Sequence, residues 1–176
     1  MFRMRRIPAI VPVILLSLSS AFACWDKLLF LGHGLSIADI HKPEHPASIL
    51  IYMNPDSQLP AADKDVHFQN LLKLVGHKPK STESRMEFIR ALTSGSYDIV
   101  VADLSDAGIL KSQVEAAPGK PVLLPLLYKR SKEQLADAQK QFSCAFNADR
   151  NNRILRVLDE AMRSKQKGTN PQCQTF

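Results

Sequence analysis

The sequence is poor in the residue patterns that build nucleotide and redox sites. Its seven glycines form neither a phosphate-binding loop nor a Gly-x-Gly-x-x-Gly fingerprint, since Gly32-His33-Gly34 is too short to count. Its three cysteines include no Cys-x-x-Cys pair, which argues against a thioredoxin-like redox site. A serine nucleophile elbow is missing as well. We therefore predict a protein that is not an enzyme and that holds neither a cofactor nor a metal ion.

Long apolar runs are also scarce, and the one that is present lies at the N-terminus. Three arginines within residues 1–6 precede the apolar stretch of residues 7–18, and Ala21-Phe22-Ala23 follows just before Cys24. A positive start, an apolar middle too short to span a bilayer and two small residues at the end are typical of a secretory signal peptide. We predict a signal peptide over residues 1–23 in a bacterial protein that is periplasmic or secreted.

Two other interpretations of this segment are weaker. An uncleaved membrane anchor is disfavoured by Pro8 and Pro12, which interrupt the apolar stretch. Lipidation of Cys24 calls for an aliphatic residue three positions earlier and a small residue two positions earlier, and Ala21 and Phe22 fit that pattern poorly. After cleavage the chain is expected to keep no membrane span.

Cleavage also changes the charge of the chain. The full sequence carries 23 Lys plus Arg against 17 Asp plus Glu, a formal charge of +6. Removing residues 1–23 takes away three arginines and no acid, which leaves 20 against 17 and a charge of +3. So small an excess gives no support for nucleic-acid binding. The remaining length of about 150 residues suits one domain with a single core.

Cys24, Cys144 and Cys173 remain in the mature chain. In an oxidising compartment the simplest arrangement is one disulfide and one free thiol. A bond from Cys24 to Cys144 would tether the N-terminal segment to the body and close a very long loop, worth about 4 to 5 kcal/mol in the chain-entropy model. We predict this pairing and a free Cys173. The alternative is that Cys144 is a small buried apolar residue without a partner.

From Ala47 onwards, short apolar runs alternate with segments of helical periodicity. The runs predict five strands, at residues 47–53, 77–80, 97–102, 121–127 and 142–146. The periodic segments predict five helices, at residues 60–75, around 86–92, at 106–117 and 131–140, and around 154–162. Ser131 and Gln134 match the capping box that opens a helix.

Strands that alternate with helices through short connections imply a mainly parallel sheet covered on both faces. The predicted fold class is therefore a three-layer α/β/α sandwich with five strands. Residues 24–46 are then an N-terminal arm, residues 47–167 the α/β domain and residues 168–176 a flexible tail. The core is predicted to be Ile49, Leu50, Ile51, Ile99, Val100, Val101, Val122, Leu123, Leu124, Ile154 and Leu158.

The third predicted strand carries a resemblance to a known family. The segment from Tyr97 to Leu104 is similar to the third strand of the receiver domain of bacterial response regulators, with Asp103 at the phospho-acceptor position. The segment from Lys120 to Leu124 resembles the start of the fourth receiver strand. The resemblance extends over about residues 47–165 and implies a flavodoxin-like sheet with the strand order 2-1-3-4-5.

The phosphotransfer chemistry of that family needs residues that this sequence lacks. A receiver uses two acids after the first strand to hold Mg²⁺, a hydroxyl residue at the end of the fourth strand and a lysine at the end of the fifth. Here Asn54 follows the first strand with Asp56 displaced, Leu126 stands at the hydroxyl position, and residues 147–149 contain no lysine. The resemblance therefore implies a receiver-like domain without phosphotransfer.

Polar residues follow the predicted strands where such sheets bind ligands, at the point where the strand order reverses. A crevice there would be lined by Asn54, Asp56, Asp103, Ser105, Asp106 and Lys129. Lys129 would pair with Asp103 across neighbouring strand ends. The alternative for Asp103 is structural, because an acid in this position also accepts backbone amides and caps the following helix.

Neither the histidines nor the N-terminal arm defines a site. Only His41 and His45 have the helical spacing of a metal pair, and Pro43 between them prevents a regular helix. We predict that His67, His77 and the others are surface loop residues. The apolar residues that follow Cys24, namely Trp25, Leu28, Leu29 and Phe30, either pack on the body or form a partner site.

Two functional classes fit these observations. A complete α/β core with an incomplete catalytic pocket favours an exported, non-enzymatic receiver-like module, a protein-interaction or regulatory domain with an unknown protein partner. The alternative is a periplasmic small-molecule binding domain that uses the crevice after strands 1 and 3. This alternative resembles one lobe of a periplasmic substrate-binding protein and lacks the second wall that closes on a ligand.

Overall fold

The computed structural model describes residues 43–149, 151–169, 171 and 173. The predicted signal peptide and nearly all of the predicted N-terminal arm, with Cys24, lie outside the described residues. The secondary structure, in chain order, is β1 Ser48–Tyr52, α1 Leu59–Val66, α2 Phe68–Val75, β2 Lys78–Thr82, α3 Arg85–Ser94, β3 Ile99–Asp103, α4 Leu104–Glu115, β4 Val122–Leu127, α5 Lys132–Gln141, β5 Phe146–Asn147 and α6 Asn151–Lys167.

The five strands run parallel in one sheet, in the order β2-β1-β3-β4-β5. This confirms the predicted α/β sandwich and its flavodoxin-like strand order. The central strands are continuous apolar runs because helices cover both of their faces. Ile51 of β1 pairs in register with Val101 of β3, which pairs in turn with Leu124 of β4.

Successive residues of each strand face opposite layers of helices. Ile49 and Ile51 of β1 pack in one cluster with α1, α2 and α6. Leu50 and Tyr52 of the same strand pack in another cluster with α3 and α4. Leu127 at the end of β4 belongs to a smaller cluster with residues of α4 and α5. The chain therefore forms three layers around the sheet.

The predicted core is buried except at Val122 and Leu123, which are half-buried. The reason lies in the length of the edge strand. β5 pairs only with Leu126 and Leu127 of β4, so the first half of β4 has no neighbour on that side. Apolar residues at such an edge keep part of their surface in water.

The single helix predicted over residues 60–75 is two helices. His67 adopts a left-handed conformation, with φ of 50°, and ends α1 while it begins α2. Asp63 stabilises the corner, because its carboxylate accepts hydrogen bonds from the backbone N (2.8 Å) and from Nε2 (3.0 Å) of Gln69. Gly76 ends α2 with φ of 101°, the left-handed conformation in which glycine commonly ends a helix.

The predicted fifth strand is displaced towards the C-terminus. Phe142 and Ser143 do not begin a strand because Phe142 still caps α5, with its backbone N donating to the carbonyl of Ala138 at 2.8 Å. Gln139 Nε2 donates to the carbonyl of Ala145 at 3.1 Å, so a side chain of α5 binds the backbone just before β5. The predicted capping box at the start of α5 is confirmed in both of its hydrogen bonds.

The amino ends of the strands are joined by polar contacts. His77 Nδ1 accepts from the backbone N of Ala47 at 3.0 Å, just before β1. Asp98 accepts from the backbone N of Ser48 at 2.9 Å and from Nζ of Lys165 at 3.0 Å, which ties α6 to the start of β3.

In the part of the chain that the structure describes, we find no helix with the length and apolarity to cross a membrane.

Candidate functional site

The carboxyl ends of β1 and β3 lie side by side at the centre of the sheet. After β1 the chain turns to α1 on one face, and after β3 it turns to α4 on the other. This is the reversal of strand order at which α/β sheets form a crevice. Of the predicted site residues, the structure brings together Asn54, Asp103, Ser105 and Asp106, places Asp56 at the exposed rim, and places Lys129 elsewhere.

Asp103 is held by groups of the chain itself. Its Oδ1 accepts from the backbone N of Ser105 at 2.9 Å and from the Ser105 hydroxyl at 2.8 Å. Its Oδ2 accepts from the backbone N of Gln58 at 3.2 Å, in the loop before α1. The residue is only 3 % exposed. Asp103 is thus the N-cap of α4 and a tie between the two loops, which agrees with the structural alternative.

Asn54 and Asp106 form the polar floor of the crevice. The amide Nδ2 of Asn54 donates to both carboxylate oxygens of Asp106, at 3.0 and 3.2 Å, and Asn54 Oδ1 accepts from the backbone N of Asp56 at 3.1 Å. Burial raises the pKa of Asp106, the hydrogen bond from Asn54 lowers it in part, and the nearby charges of Asp103 and Asp56 raise it further. The carboxyl group therefore resists ionisation more than an ordinary aspartate does.

Tyr52 is a residue of the crevice that the sequence interpretation missed. It is the last residue of β1, its side chain is 8 % exposed, and its ring lies against Phe88 with centroids 5.3 Å apart. Burial, followed by the charge of Asp106, raises the pKa of its hydroxyl. The signal in the sequence is a tyrosine, with its polar tip, at the carboxyl end of an otherwise apolar strand.

The predicted pairing of Lys129 with Asp103 is wrong. Lys129 Nζ contacts Asp65 of α1 at 3.1 Å and lies over the ring of Tyr128, 4.8 Å from its centroid. The Tyr128 hydroxyl donates to the same carboxylate. These hydrogen bonds, first from Tyr128 and then from Lys129, lower the pKa of Asp65. β4 lies beside β3, but its last residues turn to the face of α1 and carry Lys129 away from the crevice.

The prediction of surface histidines is wrong for His77. The ring is 4 % exposed, and its Nε2 atom has no hydrogen-bond partner among the described residues. His45 and His67 are exposed, whereas His33 and His41 lie outside the described residues. Within the described ranges no three His, Cys, Asp or Glu side chains are grouped as metal ligands.

The predicted Cys24–Cys144 bond is also corrected by the structure. Cys144 is bonded to Cys173, with their Cα atoms 4.8 Å apart, a distance that a disulfide spans. The backbone N of Cys173 donates to the carbonyl of Ser143 at 3.3 Å, so the chain after α6 returns to the start of β5. Within the segment predicted as a flexible tail, Cys173 is therefore buried and attached to the domain.

A cavity of about 280 Å³ opens at the corner between α1 and α2. Polar and charged side chains line it, namely Asp63, Lys64, His67, Gln69, Asn70 and Lys73. The lining combines two lysines with the Asp63 carboxylate, which Gln69 already binds, so the mixed charge selects no one class of ligand. The sequence pattern did not indicate this cavity.

The fold and the crevice define a flavodoxin-like α/β sandwich whose central aspartate is bound by its own loops. No family model, no curated protein and no solved structure matches the chain. The resemblance to receiver domains accordingly rests only on the sequence around β3 and β4.

Proposed function

We propose that the protein is an exported, non-enzymatic receiver-like module that acts by binding another protein and does not transfer phosphate. This proposal rests on the hydrogen bonds and the burial of Asp103. A phospho-acceptor must present a carboxylate oxygen to the phosphoryl donor, whereas both oxygens of Asp103 accept hydrogen bonds from the chain, and the side chain is 3 % exposed. Attack by this carboxylate would first require the cap of α4 to open.

The neighbouring strand ends support the same interpretation. Leu126, at the position of the receiver hydroxyl, is buried and pairs in register with Asp103. Lys129 is directed to Asp65, and β5 ends in Asn147. These side chains leave the crevice without the hydroxyl and the lysine that would organise a phosphoryl group.

The pairing of Cys144 with Cys173 supports export. Disulfides persist in the periplasm and outside the cell and are rare in the cytosol. A bonded pair that joins the last segment to the domain therefore fits a protein directed by an N-terminal signal peptide. Sequencing of the product exported by a Gram-negative host should find Cys24 as the first residue. An N-terminus at Met1, or a lipid on Cys24, would contradict this assignment.

The absence of phosphotransfer is tested with acetyl phosphate and Mg²⁺. Purified protein is treated beside an active receiver domain, and both are analysed by intact mass and by mapping of aspartyl phosphate after borohydride reduction. We expect modification of the active receiver and none of this protein. A phosphoryl group on Asp103 would overturn the proposal.

A second candidate function is the binding of a small molecule in the crevice after β1 and β3. The observation that favours it is the polar cluster at the carboxyl ends of these strands, where Asn54 Nδ2 donates to both carboxylate oxygens of Asp106 at 3.0 and 3.2 Å. Such a cluster lies where α/β sheets bind ligands, at the reversal of strand order.

A further inference from the structure

The chain enters the sheet through a short segment that hydrogen bonds attach to the start of β2. This entry segment, residues 43–47, comes directly before β1, and within it Ala47 is buried whereas residues 44–46 are exposed. The backbone N of Ala47 donates to Nδ1 of His77 at 3.0 Å, and the Ala47 carbonyl accepts from the backbone N of Lys78 at 2.9 Å. One of the two contacts therefore depends on a titratable side chain.

The ring of His77 is buried with only one of its two nitrogens hydrogen-bonded. His77 is 4 % exposed, and its Nε2 atom is buried without a hydrogen-bond partner among the described residues. Because Nδ1 accepts from Ala47, the neutral ring carries its proton on this unbonded Nε2. Buried polar atoms are nearly always hydrogen-bonded, so His77 is an exception. Its one hydrogen bond within the described structure requires Nδ1 to be unprotonated.

A proton on Nδ1 would break the contact between His77 and Ala47. The protonated ring is a donor at both nitrogens, so its Nδ1–H would point at the backbone N–H of Ala47, with the two nitrogens 3.0 Å apart. Two donors at this distance repel each other, and a buried positive charge without hydrogen bonds is costly. Movement of the entry segment away from the ring removes the repulsion and admits water to the charge.

The charged groups around the ring set the direction of this equilibrium. Burial lowers the pKa of His77, and the charge of Asp159 on α6 offsets part of that effect. The other titratable residues of the surrounding elements are Glu44 and His45 of the entry segment, Lys73 of α2, Lys78 of β2, and Asp98 before β3, which is paired with Lys165 of α6. The buried ring therefore favours the neutral form, and a ring released into water favours the charged form in acid.

We propose that His77 is a pH-sensitive lock on the entry segment, closed by the neutral ring and released by protonation in mild acid. In the released state Ala47 loses its hydrogen bonds to His77 and Lys78 while the sheet stays folded. The lock thus controls the point at which the preceding residues of the chain join the domain. Histidine changes its charge between about pH 5 and pH 8, so a protein exported as proposed above responds when its surroundings acidify. The inference goes beyond the proposed function, since it concerns the opposite end of the sheet from the crevice.

Hydrogen exchange of the backbone amides, followed by NMR, tests the lock. Rates are corrected for the intrinsic pH dependence of exchange, which gives a protection factor for each amide at pH 7.5 and at pH 5.5. Because the lock opens while the sheet stays folded, the amides of Ala47 and Lys78 should be less protected than those of Ile51 and Val100 at both pH values. Equal protection at Ala47 and Val100 would show that the contact opens only when the whole domain unfolds, and would overturn the proposal.

The size of the pH effect follows from proton linkage. Below the ordinary histidine pKa of 6.5 the released ring takes up a proton that the closed ring does not, so release becomes easier as the pH falls. At pH 5.5, one unit below that value, the protection of Ala47 and Lys78 should be lower than at pH 7.5 by about threefold to tenfold. The same protection at the two pH values would contradict the lock.

Two variants assign the effect to His77. His77→Asn keeps an acceptor near the amide of Ala47 but does not titrate, so the corrected protection of Ala47 should be the same at pH 7.5 and pH 5.5. His45→Asn removes the exposed histidine of the entry segment and should retain the full pH effect. Protection of the Val100 amide verifies that each variant is folded. A pH effect that persists in folded His77→Asn protein, or that disappears in His45→Asn protein, would overturn the proposal.

Discussion

At the scale of single residues, Asp103 connects three separate parts of the fold. Its carboxylate accepts hydrogen bonds from the backbone N of Ser105, in the first turn of α4, and of Gln58, just before α1. Its own backbone belongs to β3. The first amides of a helix have no partner within the helix, so an N-cap carboxylate supplies one and also meets the positive end of the helix dipole. The aspartate that the family resemblance singled out therefore has a structural use.

Replacing Asp103 with alanine should therefore cost more than the loss of an ordinary cap. The change leaves the backbone donors of Ser105 and Gln58 without an acceptor at a buried site, and we expect the free energy of unfolding to fall by about 2 to 3 kcal/mol. Ser84 caps α3 at an exposed position, accepting from the backbone N of Glu87 at 3.2 Å, and Ser84→Ala should cost about 1 kcal/mol. Urea unfolding measures both, and equal losses would contradict the assigned role.

His77 is the buried titratable group at the other end of the sheet. Because Nδ1 accepts from Ala47, the neutral ring carries its proton on Nε2. Protonation would put a second N–H opposite the amide of Ala47. Burial lowers the pKa of His77, and the charge of Asp159 on α6 offsets part of that effect. The folded protein therefore favours the neutral ring.

The stability of the protein should fall as the pH decreases below the ordinary histidine pKa of 6.5. Above this value the ring is neutral in both states. Below it the unfolded chain takes up a proton before the folded one does, so the free energy of unfolding decreases until the folded pKa is passed. Unfolding is measured in urea between about pH 7.5 and pH 5.5, a range in which histidine is the side chain that titrates.

The matched variant is His77→Asn, which keeps an acceptor near the amide of Ala47 but does not titrate. Its stability should change less over this pH range than that of the unaltered protein. His45→Asn, at an exposed position, should leave the pH dependence unchanged. A steeper pH dependence in the His77→Asn protein would exclude the assigned cause.

At the scale of helices and strands, the turns that connect them depend on backbone conformation as much as on residue type. The connection from α4 to β4 contains Pro118-Gly119, a pair typical of turns, yet the left-handed residue is Lys120, with φ of 42°. Gly119 serves another purpose, because an added Cβ would meet the carbonyl oxygen of Tyr97 at 3.2 Å. Gly119 is needed because two backbone segments approach each other closely there, whereas Lys120 adopts the left-handed conformation.

Glycine at position 120 should therefore stabilise this connection relative to alanine. Neither Lys120→Gly nor Lys120→Ala has the lysine side chain, so their difference isolates the Cβ. We expect the glycine variant to be more stable than the alanine variant by about 0.5 to 1 kcal/mol. Alanine pays the steric penalty of the left-handed conformation, and the larger entropy of glycine in the unfolded chain offsets part of that difference. The same pair at Lys111 inside α4 should show the opposite order, by about 1 kcal/mol. Thermal or urea unfolding checks both orders, and the same order at the two positions would contradict this account.

At the scale of the whole molecule, the pairing of Cys144 with Cys173 connects the segment after α6 to the sheet. The two cysteines are 29 residues apart, and all of α6 lies between them. A cross-link restricts the unfolded chain, and a loop of about 30 residues is worth about 3 to 4 kcal/mol in the chain-entropy model. The bond therefore stabilises the docking of α6 on the sheet.

Peptide mapping of unreduced protein should link Cys144 with Cys173. Cys173→Ser should lower the free energy of unfolding by about 3 kcal/mol, and Cys24→Ser should leave the linkage in place. A peptide that joins Cys24 to Cys144 would show instead that the pairing first predicted from the sequence is present in solution.

Local and repetitive features were predictable from the sequence because the groups that decide them lie within a few residues of one another. The apolar run of β3, the capping box at Ser131 and Gln134, and the helix stop at Gly76 all belong to this kind. The alternation of such elements determined the fold class, since parallel strands joined by helices can pack in few ways. The cluster of Asn54, Asp103 and Asp106 followed from the same topology, because the strand order places those loops side by side.

Only the tertiary structure decided the contacts between distant parts of the chain. The partner of Cys144, the turn of Lys129 towards Asp65 and the burial of His77 depend on distances across the sheet and between the layers. The packing of the Tyr52 ring against Phe88 depends on how α3 and α4 flank the end of β1. Residue type and spacing carry no information on such distances until the layers are assembled, because the same side chain is exposed or buried according to what packs over it.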